Sequence, residues 1–263
     1  MIKKWIIGST AVLTCALSAQ AYDAQAFMRQ YKDTISIVET NYAHKLPISG
    51  YERKQLFQKE FLMRAAEFGP QELLDKVLAL ATTPLQIAQE DNLGRTALFY
   101  AADSRAADSL LNRFISLEAA RGLQVGYAAM NAGPVEPGKK ARRFLNKTDN
   151  EGATALMILL RDGKTSAAER LLARGANPCV QDKDGVTPLH MAVLGTKNNN
   201  PAGLKTLQKV LKACPKNINA KTKDGLLPLH WADKAVYSKA YALLKQAMPK
   251  KQAPNWEGKL KAL

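Results

Sequence analysis

Eleven residues, DKDGVTPLHMA (Asp182–Ala192), occur four times along this chain in recognisable form. DNLGRTALFYA (Asp91–Ala101), DNEGATALMIL (Asp149–Leu159) and TKDGLLPLHWA (Thr222–Ala232) align with them without gaps and share the glycines Gly94, Gly152, Gly185 and Gly225. Gly152 and Gly185 are 33 residues apart; the other intervals, 58 and 40, are the same period lengthened by insertions. No other feature constrains the fold as much. A unit this short cannot bury its own apolar face, so the units must stack into a solenoid.

The motif can be read residue by residue. Asp-x-x-Gly is turn chemistry, with Gly entering positive φ without a Cβ clash. Thr two positions later is a favoured N-cap, and the Pro that follows is pre-set for the first helical turn. An apolar stripe comes next. After Gly152 it comprises Leu156, Leu159 and Leu160 on one helix and Ala168, Leu171 and Leu172 on a second, ended by Gly175.

The pattern D-x-x-G-x-T-P-L-H-x-A at this period resembles the ankyrin repeat, and GATALMILLRDGKTSAAERLLARGANPCVQDKDG follows that family through nearly a whole unit. The resemblance covers roughly Phe61 to Ala247. It implies an all-α solenoid in which each repeat is a β-turn and a helix pair. FLMRAAEFG with Leu73, Leu74, Val77 and Leu78 supplies a unit before the first marked turn, giving about five repeats. A helix over Tyr22–Lys45, striped by Phe27, Tyr31, Ile35, Val38 and Tyr42, is expected to cap the exposed first unit. The expected organisation is a leader at 1–21, a capping helix at 22–50, the repeat domain at 51–247 with an insertion at about 121–144, and a basic tail at 248–263.

The leader follows from Lys3 and Lys4, an apolar run from Trp5 to Leu17, and Ala19-Gln20-Ala21 as a small-residue cleavage site. The run falls short of the ~20 residues a membrane span needs. Thr14 makes Cys15 a poor lipidation site. A cleaved export signal, a bacterial form and a periplasmic location are therefore expected. The chain carries 38 Lys and Arg against 23 Asp and Glu, a formal charge of +15. Such a charge points to an acidic protein partner or to anionic lipid or polymer. In an exported protein it does not point to nucleic acid.

Site chemistry is scarce. His190 and His230 sit at the fourth position of the TPLH-like motif, where the resemblance implies a structural hydrogen bond between neighbouring turns. His44 has no cysteine or carboxylate at ligand spacing. Phosphate-binding glycine loops, nucleophile elbows and metalloprotease motifs are missing, and no nucleophile pairs with a base. The expectation is a protein with no cofactor, no metal and no catalysis. In the repeat frame Cys179 and Cys214 both fall at the turn end of adjacent connections, where an oxidising compartment favours a disulfide.

The resemblance implies partner binding through turn tips and the concave helix face. Carried over by position, the candidates are Arg95, Glu151, Lys183, Asp184, Val186, Lys223 and Leu226 at the turns, and Asp103, Arg161 and Lys234 after the first helices. Met157, Met191 and Trp231 are expected to pack rather than to bind. A second candidate is the basic patch Lys139, Lys140, Arg142 and Arg143 at the end of the first insertion, read as a loop that with the lysine-rich tail could touch an anionic membrane. The other insertion, Thr196–Pro201, reads as a solvated excursion. The functional expectation is a protein-binding module, monomeric when free, with an inhibitor or immunity protein as one specific form. The alternative is an envelope-surface protein acting through its basic loop and tail.

Overall fold

The computed structural model describes residues 24–44, 59–126, 137–232 and 237–248. The leader, the tail from residue 249 and Lys234 lie outside the described residues. The elements in chain order are α1 (Ala24–Gln30), α2 (Lys32–His44), α3 (Lys59–Phe68), α4 (Gln71–Leu80), α5 (Pro84–Ile87), a 3-10 turn (Ala97–Tyr100), α6 (Ser104–Gly126) and α7 (Pro137–Leu145). They continue with α8 (Ala155–Arg161), α9 (Thr165–Ala173), α10 (Pro188–Leu194), α11 (Pro201–Ala213), α12 (Pro228–Trp231) and α13 (Ser238–Ala247). No strand occurs among the described residues; one isolated antiparallel bridge joins Thr148 to Thr154.

These elements form five helix pairs in two packed rows. The inner row runs α3, the 3-10 turn, α8, α10, α12, and the outer row α4, α6, α9, α11, α13, each element contacting the next in its row. The all-α repeat stack expected from the sequence is the observed architecture. Six consecutive residues of α8, Ala155–Leu160, are buried because this helix has neighbours on every side. A helix apolar all round belongs in a core. The outer helices need only one buried stripe: Ala167, Ala168 and Leu171 in α9, and Gly203, Thr206, Leu207 and Val210 in α11. Each fully buried leucine in these rows stabilises by about 1.5–3 kcal/mol relative to exposure.

The N-terminal cap is present, in two pieces. α1 packs on α3 and α2 on α4, with Phe27 and Tyr31 against the Phe61 ring at 5.9 and 5.2 Å. Phe27, Ile35 and Val38 are buried as expected, but Tyr42 is exposed. Asn41 takes the inward position, satisfied by donating its Nδ2 to the Ile37 carbonyl at 2.9 Å.

Two expectations about the insertions need correction. The basic stretch is helical, not a loop: α6 runs on to Gly126, and Lys139, Lys140, Arg142 and Arg143 lie in α7. Phe144 stacks on Phe114 at 4.2 Å and Lys140 pairs with Glu118 at 2.9 Å, which docks α7 on α6. The Thr196–Pro201 segment is part of the scaffold. Asn200 caps α11 by accepting from Ala202 N. Asn199 Oδ1 accepts from Lys239 N at 3.0 Å, so one repeat caps the outer helix of the next.

Candidate protein-binding surface

The turn end of the stack is built by one device used four times. In each motif turn the first residue's N–H donates to the carbonyl four residues on, and the glycine N–H donates back to the first residue's carbonyl. Asp91, Asp149 and Asp182 each accept two further backbone N–H bonds on Oδ1, from the second and fourth residues after them. Thr222, which replaces Asp in the last turn, accepts only one, from Leu226 N. All four motif glycines have φ between 76° and 84°. At Gly185 a Cβ would also meet the Lys221 carbonyl at 2.9 Å, because the next turn lies directly against it.

Neighbouring turns are joined in register. Asn150 N donates to Leu93 O at 2.8 Å, Lys183 N to Glu151 O at 2.9 Å and Lys223 N to Asp184 O at 2.8 Å. In every case the second turn residue bonds the third of the preceding turn. The result is a backbone ladder whose tip side chains, including Leu93, Glu151, Lys183, Lys223 and Asp224, are exposed along one edge.

Under the ladder lies a buried latch. The Thr187 N–H donates to His190 Nδ1 at 3.2 Å, with the Thr187 hydroxyl 2.9 Å from the same nitrogen, and His190 Nε2 stands 3.2 Å from the Leu226 carbonyl. With Nδ1 accepting, Nε2 carries the proton and donates across the repeat boundary. Burial, opposed only by that bond, pushes the imidazole pKa down to about 4. His230 is less enclosed; burial shifts its pKa down as well, and its Nδ1 accepts from Leu227 N at 3.1 Å. The expected structural role of this motif position is what the geometry shows at His190.

The candidate residues divide by what they already touch. Glu151, Lys183 and Lys223 project from the ladder into solvent. Asp184 is partly exposed and pairs with Lys223 at 3.3 Å. Val186 is a correction: it is fully buried, facing the core where it follows the turn, and cannot meet a partner. Arg95 is engaged by the stack, its Nε donating to the buried Asp149 carboxylate at 3.0 Å. Asp103 caps α6 by accepting from Arg105 N and Ala106 N. Arg161 pairs with its neighbour Asp162 at 2.8 Å. Leu226 is half-buried and contributes its carbonyl to the His190 latch. Of the basic patch, Lys140 is paired and Arg142 and Arg143 are exposed. Met157 and Met191 are buried, and Trp231 packs edge-on to His190 at 5.1 Å.

Sequence reasoning missed a cross-repeat contact on the inner row. Lys164 Nζ reaches past the short 3-10 turn to donate to Tyr100 O at 3.2 Å and to approach Glu67 at 3.5 Å. Burial raises the Glu67 pKa, and the neighbouring Lys164 and Arg64 charges only partly oppose it. The expected Cys179–Cys214 disulfide is present, with Cα atoms 5.6 Å apart. Beside it Asn217 donates to the Pro178 carbonyl at 2.8 Å. Among the described residues no group of three His, Cys, Asp or Glu side chains could hold a metal ion.

A family model for ankyrin repeats (3 copies) matches residues 126–209, the segment that holds the two most regular turns. The chain carries ankyrin repeats. Curated proteins agree over the same share of the chain: the Neurogenic locus Notch protein of Drosophila melanogaster is 38% identical over 86 residues, 32% of this chain. Neurogenic locus notch homolog protein 4 of Homo sapiens is 37% identical over 82 residues, and inversin of Canis lupus familiaris 33% over 93 residues. The matched segment spans only 3%, 4% and 8% of those proteins. Ankyrin repeats mark a protein–protein interaction module, in a family that is generally a non-catalytic scaffold.

Proposed function

We propose that the chain is an exported interaction module that holds an acidic protein partner against the ankyrin turn ladder and the adjoining ends of the inner helices, without catalysis of its own. The observation that carries this reading is the ladder. Its backbone bonds set the tips of four turns in one register before any partner arrives. A surface ordered in advance loses little conformational entropy on binding. The exposed tips Leu93, Glu151, Lys183, Lys223 and Asp224 offer one apolar and several charged contacts along an edge. The excess of basic residues would steer an acidic partner toward it. Export is supported by the basic-apolar-small leader pattern and by the Cys179–Cys214 bridge, since disulfides persist in oxidising compartments.

The test is affinity capture from envelope extract with the chain and with its Lys183→Glu/Lys223→Glu variant. Both lysines are exposed, so the variant should melt within about 2 °C of the parent. A stoichiometric acidic protein that the parent retains and the variant releases is the expected result. Equal retention by the variant would remove the ladder from the binding surface. If the captured protein is a hydrolase or toxin, its activity with and without the chain separates inhibition from scaffolding.

A further inference from the structure

The outer row of helices shows a charge ladder that stops before the stack does. Asp108 on α6 accepts from Arg170 on α9 and from Arg174 just beyond it. Glu169 on α9 in turn takes Lys209 on α11 at 2.5 Å and the Thr206 hydroxyl at 3.0 Å. A further step would need a carboxylate on α11 facing a cation on α13. There is none: α11 (PAGLKTLQKVLKA) and α13 (SKAYALLKQA) contain no acidic residue.

Two adjacent helices are therefore left with cations only. Lys205, Lys209 and Lys212 are exposed at i, i+4 and i+7 on the side of α11 opposite its buried Thr206, Leu207 and Val210. Lys239 and Lys245 are exposed on α13, away from the buried Ala240, Tyr241 and Leu244. Of these five, Lys209 alone is in an ion pair among the described residues; Lys205 lies close enough to help depress Glu169, so one carboxylate faces two ammonium groups. Lys245 sits 5.9 Å from the Tyr241 ring centroid.

The chemistry of the face narrows its partner. After Arg174 the chain has fifteen lysines and no arginine. Lysine is a hydrated point charge without the planar fork that grips a carboxylate in two places. Protein interfaces concentrate affinity in Arg, Trp and Tyr anchors and are poor in Lys. None of the exposed large apolar side chains (Met28, Tyr42, Leu85, Leu93, Ile115) belongs to α11 or α13. A two-helix field of lysines with no anchor suits attraction to a plane of negative headgroups, which needs neither forked geometry nor an apolar pocket. No helix of the described residues is long and apolar enough to cross a membrane, so such contact would be peripheral.

We propose that the outer face of α11 and α13 is an electrostatic docking surface for an anionic lipid bilayer, separate from the turn ladder. This places the membrane contact on the last two repeats and not on the α7 basic patch, where Lys140 is already neutralised by Glu118. The test is vesicle co-sedimentation of the full chain with phosphatidylglycerol-containing and pure phosphatidylcholine vesicles. Two variants are compared: Lys205→Gln/Lys212→Gln/Lys239→Gln/Lys245→Gln, and Lys140→Gln/Arg142→Gln/Arg143→Gln. All seven positions are exposed. Melting curves of both variants are recorded first.

The chain should bind the anionic vesicles at low salt and release them near 1 M salt, where the screening length is about 3 Å. Each lysine near such a surface changes affinity by about fivefold, so the quadruple variant should bind at least tenfold more weakly while the α7 variant stays within about threefold of the parent. Equal binding to phosphatidylcholine, or unchanged binding by the quadruple variant, overturns the proposal. Binding to soluble poly-glutamate with no vesicle response would assign the face to an acidic polypeptide and overturn it too. The turn-ladder variant Lys183→Glu/Lys223→Glu leaves this face intact, so the two surfaces can fail independently.

Discussion

Repeats two and four start from the same motif and reach different ends. In repeat four, DKDGVTPLHMA yields a seven-residue inner helix, α10, with Thr187 and His190 locked together and His190 reaching into the next repeat. In repeat two, DNLGRTALFYA puts Phe99 where the histidine stands, and the inner element is a four-residue 3-10 turn. The Thr96 hydroxyl is buried there without a hydrogen-bond partner among the described residues. The turns themselves are the same, with Asp91 and Asp182 accepting the same pair of backbone N–H bonds. Repeat two is held by other contacts: within it the Tyr100 hydroxyl donates to Asp91 at 2.6 Å, and across its boundary Arg95 clamps Asp149 and Lys164 reaches back to Tyr100 O. The Asp-x-x-Gly half of the motif thus makes the turn by itself but does not fix the element after it, and the latch is not required for a helix there: repeat three, with Met157 at the histidine position, forms the seven-residue α8.

Three perturbations bear on this comparison, in descending order of effect. Removing the staple at the well-latched end with Cys179→Ser/Cys214→Ser should cost roughly 3–4 kcal/mol by chain entropy, read as a fall in the denaturation midpoint. The same loss on reducing the parent would show that the bridge acts alone; no loss would show that the latch suffices.

The latch is also the pH-sensitive part. His190 titrates near 4 folded and near 6.5 unfolded, so the unfolded chain binds the extra proton between those values. Its contribution is complete above pH ~6.5 and declines as the pH falls toward ~4, by about 3 kcal/mol in all. His190→Gln keeps a side chain able to cap the helix, as Gln86 does for α5 through Thr83 N at 2.9 Å, but does not titrate. The variant should lose less stability than the parent between pH 7 and ~4.5 in parallel melting curves. An identical slope would place the acid sensitivity elsewhere.

The smallest effect is the sharpest discriminator. Thr187→Val removes a buried hydroxyl that stands 2.9 Å from His190 Nδ1 and accepts from His190 N, and should cost about 1–2 kcal/mol, whereas Thr96→Val removes a hydroxyl with no partner among the described residues and should be neutral or slightly stabilising. Equal costs at the two sites would mean that the motif threonine stabilises through its shape and not through its hydroxyl.

Much of this was legible beforehand, for local reasons. The turn glycines, the threonine caps and the buried motif histidine each follow from interactions within a few residues, and the 33-residue period then requires stacking. The cysteine pair was legible because the repeat frame converts sequence offset into position along the stack. What escaped depends on neighbours across the stack. By sequence Val186 falls at the tip because it follows the glycine, yet the chain has already turned inward there. Arg95 is a partner-binding candidate by its place at the turn, and the sequence does not show its engagement because Asp149 is 54 residues away, across an insertion. The asparagines of Thr196–Pro201 read as solvated polar chain, and only the packing of α13 beside them shows Asn199 to be a cap. By sequence the basic stretch before Phe144 is a loop; its helix docks on α6 through the Phe114 ring, a contact that local pattern does not show.

The sequence by itself therefore determined the repeat, the turn chemistry and the all-α stack, because each rests on backbone preferences that a few consecutive residues set. Tertiary structure alone decided which charges remain free. Asp149, Asp108 and Glu169 neutralise arginines and a lysine from other repeats, while the exposed charges of α11 and α13 are all lysines. A side chain's availability depends on what the next layer places beside it, and that is a property of the stack and not of the repeat.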